Sequence, residues 1–447
     1  MNKKSLDISA FFRNRENVLS DHLVDKVHNL NQKTFGNNSE ENIVITKIIA
    51  DYRTIFNEMS NRVDNHNRRK FCKVLFNYCE ISQDYRDWGN WIQQEIAQGV
   101  GEDGSWLYCA LGRYLEEKGQ FTESFKNHKK GIFASIVFED EEFLAFNHLG
   151  AGITLQRSQK PKEAEWHLLQ ALDLFKQQNN LYQRANTLVN LGSYYDRFNE
   201  GNKAISSYLE SASILRSLGN SFDLGRILYS LGIAYLNVNN LEEAELTFIE
   251  GKDVSEGTGN LYFLSLMFYG LGWLEYKRGN FDESRSLLEE AMTKFNETKE
   301  STSLTIEAAY PESEGNIYLL AAAVAMKGEK HDVSAAYTYL NKAENFYEQI
   351  DFNQKKLANV LANKARIYEF LQNWNNAIHA FSELLQTGKN IKSMNTIADA
   401  SVHLVRIHIK KSASLVEWLK LIEKLGFYGT MALLKMLFKQ KQRLFLK

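Results

Sequence analysis

Side chains able to grip another chain recur along this sequence. Arg157, Asn186, Asn190, Arg197, Arg226, Asn363 and Arg366 offer amide and guanidinium groups. Tyr229, Tyr269, Trp273 and Tyr276 offer aromatic faces, with Lys277 beside them. An asparagine amide both donates and accepts, which suits a peptide backbone. A guanidinium meets a carboxylate through two parallel hydrogen bonds. Aromatic and arginine side chains carry most of the energy at interfaces. That is the chemistry of binding a protein or a peptide.

Reaction chemistry is harder to find. Gly99-Val-Gly101-Glu-Asp-Gly104 spells GxGxxG, but that fingerprint works only between a strand and a helix. Here a helical pattern precedes it, and Glu102 and Asp103 would repel phosphates, so the segment reads as a turn. Cys72, Cys79 and His66 lack the spacing and the fourth ligand of a zinc site, and read as small buried residues. His403 and His408 stand about 140° apart around a helix, which is poor for shared ligation. No Walker motif, nucleophile elbow or HExxH pattern occurs. The expectation is a non-enzyme without cofactor, metal or small-molecule substrate.

The binding residues must be positioned by something, and a repeat does it. Gly112, Gly152, Gly192, Gly232 and Gly272 recur at one constant interval of forty. Twelve positions after each comes a small residue, at Ser124, Ala164, Ala204, Ala244 and Ser284. Seven further on comes another, at Gly131, Ala171, Ser211, Gly251 and Ala291. Small residues at fixed phase let paired helices approach closely. In the unit from Leu231, a first helix breaks at Asn239-Asn240, and Leu241-Glu-Glu-Ala244 opens a second. Ala244, Phe248 and Gly251 then share one face.

Leu231, Gly232, Tyr235, Ala244, Phe248 and Gly251 resemble the pattern of the tetratricopeptide repeat family. The repeat is a long variant of forty, where the common unit has about 34 residues. Longer-helix variants of this kind are found in kinesin light chains, bacterial peptide-sensing regulators and sensor arrays of signalling ATPases. The resemblance implies an all-α, right-handed superhelix of seven to nine hairpins over residues 67–425. Residues 1–66 read as an N-terminal helical cap and residues 426–447 as a basic C-terminal helix. Upstream, Cys79 and Trp91 take the glycine and small positions; downstream, Ala365 and Ala377 do. The stretch from Asn296 to Glu314 is the longest irregular segment.

In such an array the first helix of each hairpin lines the inner surface. Residues at −6, −3, +1, +4 and +5 from each repeat glycine return to a common side. That stripe collects Arg113, Glu116 and Glu117, then Gln156 and Arg157, then Asn186, Asp196 and Arg197. Arg226, Tyr229 and Asn237 follow, then Tyr269, Trp273, Tyr276 and Lys277, and later Asn359 and Arg366. Asn190 and Asn363 stand at its edge. Asparagines and basic residues of first helices hold the ligand in peptide-binding members of the family, and the resemblance lends that role to these. Tyr229, Tyr269 and Tyr276 are expected to form one continuous patch.

Composition narrows the partner. The chain has 447 residues, 2 prolines and 26 glycines, too little turn chemistry for a sandwich or barrel. Net charge is −2, which disfavours bulk binding of nucleic acid. No signal peptide or membrane-spanning run is evident, so the expected place is the cytoplasm. Peripheral membrane contact by the basic C-terminal helix stays open. The expected role is a protein- or peptide-binding adaptor working through the concave face. The alternative is a peptide- or protein-sensing regulator in bacterial signalling or defence.

Overall fold

The computed structural model describes residues 89–158, 161–301, 311–327, 331–349 and 354–411, with scattered residues between 417 and 426. The expected N-terminal cap at 1–66 and the basic helix beyond Gly426 lie outside the described residues, as do Cys72, Cys79 and His66. Among the described residues, sixteen α-helices follow one another. The first eight are α1 Gly89–Ala97, α2 Gly104–Glu117, α3 Phe121–Val137, α4 Glu141–Arg157, α5 Pro161–Gln177, α6 Leu181–Arg197, α7 Gly201–Ser217 and α8 Ser221–Asn237. The others are α9 Leu241–Thr258, α10 Leu261–Arg278, α11 Phe281–Ser301, α12 Pro311–Ala325, α13 Val333–Glu348, α14 Gln354–Phe370, α15 Trp374–Asn390 and α16 Met394–Lys410. The GxGxxG segment carries a single 3-10 turn between α1 and α2. Among the described residues there is no strand, and the helices pair into seven antiparallel hairpins, α2/α3 to α14/α15.

The period has a simple origin. From α4 to α8 each helix is 17 residues long. Each turn between them takes three more, and two helices with two turns make one repeat. The turns share a backbone recipe. A residue with positive φ comes first, such as Asn179 at 52° or Asn239 at 61°. Asparagine tolerates that region better than most side chains. At most of these turns an Asp, Asn or Ser follows and caps the next helix, whereas Gln120 and Glu200 hold that place without a side-chain cap. Asp140, Asn180, Asn220, Asn240, Asp332, Asn373 and Ser393 each accept a hydrogen bond from the N–H three positions on. Both prolines open helices, α5 and α12, where a missing N–H breaks no bond.

The repeat glycines are points of contact. A β-carbon at Gly112, Gly152, Gly192 or Gly232 would lie between 2.4 and 2.7 Å from a side-chain atom of His128, Leu168, Tyr208 or Phe248 respectively. The second helix therefore sits its large residue directly on the first helix's backbone. Ser124, Ala164, Ala204, Ala244 and Ser284 are wholly buried. Where serine replaces alanine it stays satisfied: Ser124 Oγ donates to the Gly112 carbonyl at 2.8 Å and Ser284 Oγ to that of Gly272 at 2.7 Å. The irregular stretch is shorter than the sequence suggests, because α11 runs on to Ser301 and α12 begins at Pro311.

The chain divides into two compact units, unit 1 ending at Asn260 and unit 2 beginning at Leu261. Among the described residues, unit 1 buries three histidines. His128 is fully buried against Gly112 and Gly150, and His148 and His167 face each other with their Nδ1 atoms 3.1 Å apart. Burial holds all three below the usual imidazole value, His128 at about 3 and the other two at about 4. Cys109 is fully buried in the same unit. Unit 2 packs Ala322, Leu340, Tyr347 and Ile367 in one cluster and Ala365, Phe381, Leu385 and Leu404 in another.

Candidate functional site

The accessible stripe on the first helices is narrower than its arithmetic suggests. The −3 position points inward: Leu149 and Val189 are buried there, and so is Tyr269, at 8% exposure. Tyr269 therefore does not join a displayed aromatic patch. Its ring lies 6.2 Å from Trp273, and burial raises the phenol's pKa. Trp273 and Tyr276 are half-buried on α10, and Lys277 is exposed. Tyr229, half-buried on α8, belongs to unit 1, whereas Tyr269 and Tyr276 belong to unit 2. The +5 position reaches solvent and the +1 position partly does, while the +4 position is buried at Glu116, Gln156 and Leu236.

In unit 1 these positions bond to one another. Glu116 meets Arg113 at 3.2 Å and Arg157, one repeat later, at 3.4 Å. Arg197 donates to the Gln156 carbonyl at 2.7 Å, again one repeat later. Asn190 donates to the carbonyl of half-buried Asn186 at 2.9 Å, back along its own helix. Arg226 lies 3.6 Å from Asp223.

Unit 2 is different. A groove of about 900 Å³ is lined by Tyr276 of α10, Met326 and Lys327 beside α12, Asn363, Arg366, Glu369 and Phe370 of α14, Trp374 of α15, and His403, Arg406 and Lys410 of α16. Ala322 and Ala323 floor it, and their small side chains leave the space open. Among the described residues, four cations line it against one carboxylate. That carboxylate, Glu369, is buried and acts as a hub: His403 Nδ1 lies at 2.5 Å, Arg406 Nε at 3.1 Å and Lys410 Nζ at 3.9 Å. Arg366 reaches Asp399 at 2.8 Å and Asn363 at 3.4 Å, and Lys327 makes no ion pair among the described residues. Lys410 also stands 6.0 Å from the centre of the Trp374 ring. His403 stacks on Phe381 at 4.4 Å, and burial lowers its pKa despite the Glu369 hydrogen bond. The groove can hold anionic groups beside an aromatic or apolar side chain.

Of the residues expected from sequence, Tyr276, Asn363 and Arg366 line this groove. Lys327, Glu369, His403, Arg406 and Lys410 were not among them. Their signal was present: Arg406 stands one repeat length after Arg366, and Lys410 one repeat length after Phe370. The loosened spacing between α10 and α14 hid it.

The tetratricopeptide repeat family profile matches residues 269–298, the second half of α10 and most of α11. Solved structures extend the likeness over most of the chain. The apo form of RapI has a TM-score of 0.57 at 12% identity, covering 84% of this chain and 98% of that one. The matched hairpin is a tetratricopeptide repeat, and the array has the tetratricopeptide repeat fold. A Rap protein in complex with the Competence and Sporulation Factor gives 0.54 at 12% identity, with 83% and 98% covered. Aspartyl phosphate phosphatase F from Bacillus subtilis gives 0.51 at 13%, with 85% and 86% covered. At these identities the likeness is one of fold. No curated protein matches the sequence. Among the described residues, no tetratricopeptide helix is long and apolar enough to cross a membrane.

Proposed function

We propose that this chain binds a protein or peptide partner, and that the unit 2 groove takes an acidic, extended segment of it. One observation carries the reading: α10, α12, α14 and α16, or the turns that end them, turn same-phase residues into one opening in which Lys327, Arg366, Arg406 and Lys410 outnumber Glu369. Glu369 fixes Arg406 and Lys410 in place and Asp399 fixes Arg366, so these side chains have little entropy left to lose on binding. Phe370, Trp374 and Met326 give an apolar residue of the partner a place to bury. A Rap protein of the same fold has been solved with the Competence and Sporulation Factor bound, which supports the general role.

The test is a fluorescence anisotropy titration of the full chain with a peptide whose aspartates flank a phenylalanine, beside a lysine-for-aspartate counterpart. The acidic peptide alone should bind, and Arg366→Ala with Arg406→Ala should release it. Equal binding of both peptides, or binding untouched by the double variant, would remove the groove from the function.

A further inference from the structure

The outer face of α3 in unit 1 departs from the same face of later repeats. Helices α3, α5, α7 and α9 begin at Phe121, Pro161, Gly201 and Leu241, so residues one repeat length apart hold equivalent places. Phe133 stands where Asp173, Ser213 and Asp253 stand, and Ile136 where Lys176, Arg216 and Glu256 do. Val137 replaces Gln177, Ser217 and Gly257. The three α3 residues are 70%, 62% and 53% exposed, and Phe138 beyond them is 44% exposed. Since three other repeats fold with polar residues or glycine at these places, the fold does not ask for apolar ones. Contiguous exposed apolar surface marks an interaction site. Charge changes too, because Lys130 replaces Gln170, Glu210 and Glu250.

Lys126, Lys130, Phe133 and Val137 follow helical spacing along one side of α3. With Lys129 they border a groove of about 750 Å³ whose opposite wall is Val100 and Tyr108. Among the described residues, no carboxylate lines it. Lys130 sits 5.4 Å from the centre of the Tyr108 ring and Lys129 5.0 Å from that of Phe125, while Lys126 meets Glu123 at 2.6 Å. The groove is thus basic at one end and apolar at the other.

We infer that this groove docks an acidic amphipathic helix of a partner protein. From Lys126 to Val137 the face runs about 16 Å, three helical turns. A helix lying along it would set apolar side chains against Phe133, Val137 and Tyr108 and carboxylates against the lysines. The recess behind Tyr108 calls for inserted side chains, which a flat lipid surface would not provide. The site is independent of the unit 2 groove.

The experiment titrates the full chain into a fluorescent helical peptide of about 18 residues, leucine on one face and glutamate flanking it, and reads anisotropy. Binding should saturate and weaken about tenfold or more in Lys129→Glu/Lys130→Glu and in Phe133→Ser/Val137→Ser. It should be unchanged in Arg366→Ala/Arg406→Ala and absent for the lysine-for-glutamate peptide. All these positions are solvent-facing, and circular dichroism checks that each variant keeps its helix. Absence of saturable binding, or binding indifferent to the α3 variants, overturns the inference. So does binding to phosphatidylserine vesicles that Phe133→Ser/Val137→Ser abolishes, which would make the face a lipid contact. Self-association lost in the same variant would overturn it too, by assigning the face to a second copy of the chain.

Discussion

Unit 1 closes its first-helix stripe with its own side chains, and unit 2 leaves a groove. In unit 1 a +4 residue meets the +5 arginine of the next repeat, as with Glu116 and Arg157 or the Gln156 carbonyl and Arg197. The strict period sets each partner opposite the last. Unit 2 keeps one such rung, Glu369 to Lys410 at 3.9 Å. Its earlier rung falls on α12, which begins at Pro311, well past one repeat length from the start of α10 at Leu261, and presents Ala322, Ala323 and Met326. Small neutral residues cannot reach across. Hydrogen-bonding positions alone do not leave an opening; an unfilled rung beside a charged one does.

Acid separates the two units most strongly. His128, His148 and His167 of unit 1 hold lowered pKa values, so the folded form takes up protons less readily than the unfolded one. Their contribution to stability is full above about pH 6.5 and is lost as the pH drops towards about 4, or about 3 for His128, by up to about 1.4 kcal/mol per histidine for each pH unit. In unit 2 the lowered His403 acts in the same direction, moderated by Glu369. Hydrogen exchange at pH 7 and pH 5 should show unit 1 losing protection first, and His148→Phe/His167→Phe should reduce the loss. Earlier loss in unit 2 would break the comparison.

The next effect tests burial. Tyr269→Ala should cost about 3–5 kcal/mol of stability, as removal of buried aromatics does, read by chemical denaturation. A partner-binding defect with unchanged stability would return Tyr269 to the surface. For the two stripes, Arg366→Ala with Arg406→Ala should weaken acidic-peptide binding by about 2 kcal/mol. Arg157→Ala with Arg197→Ala should shift it by less than about 0.5 kcal/mol, since those arginines serve their own array. Similar losses from both pairs would mean that unit 1 binds as well.

The last is a test of the shared frame. Ala244 is wholly buried between paired helices, so Ala244→Phe should cost about 1–3 kcal/mol. Exposed Glu242→Gln should stay within about 0.5 kcal/mol. Thermal melts of the two variants should therefore separate clearly.

The sequence by itself determined the hairpin, its period and its contact points. Gly232 and Ala244 mark where helices touch, because closeness demands small residues wherever it recurs. Asn239-Asn240 marks the turn, because a positive φ and a cap need those side chains. It also put Arg366 and Asn363 on one face of α14, the one that lines the groove, since one helix suffices to fix phase. Only the tertiary structure decided which side of that face was open. Tyr269 has the phase of a displayed residue, but the neighbouring hairpin covers it. The groove around Glu369 depends on four helices whose spacing in the chain is unequal, so no single period brings Tyr276, Lys327, Arg366 and Arg406 together in advance. Helical phase is local and can be counted along a chain; an opening is the absence of a neighbour, and that exists only once the helices are stacked.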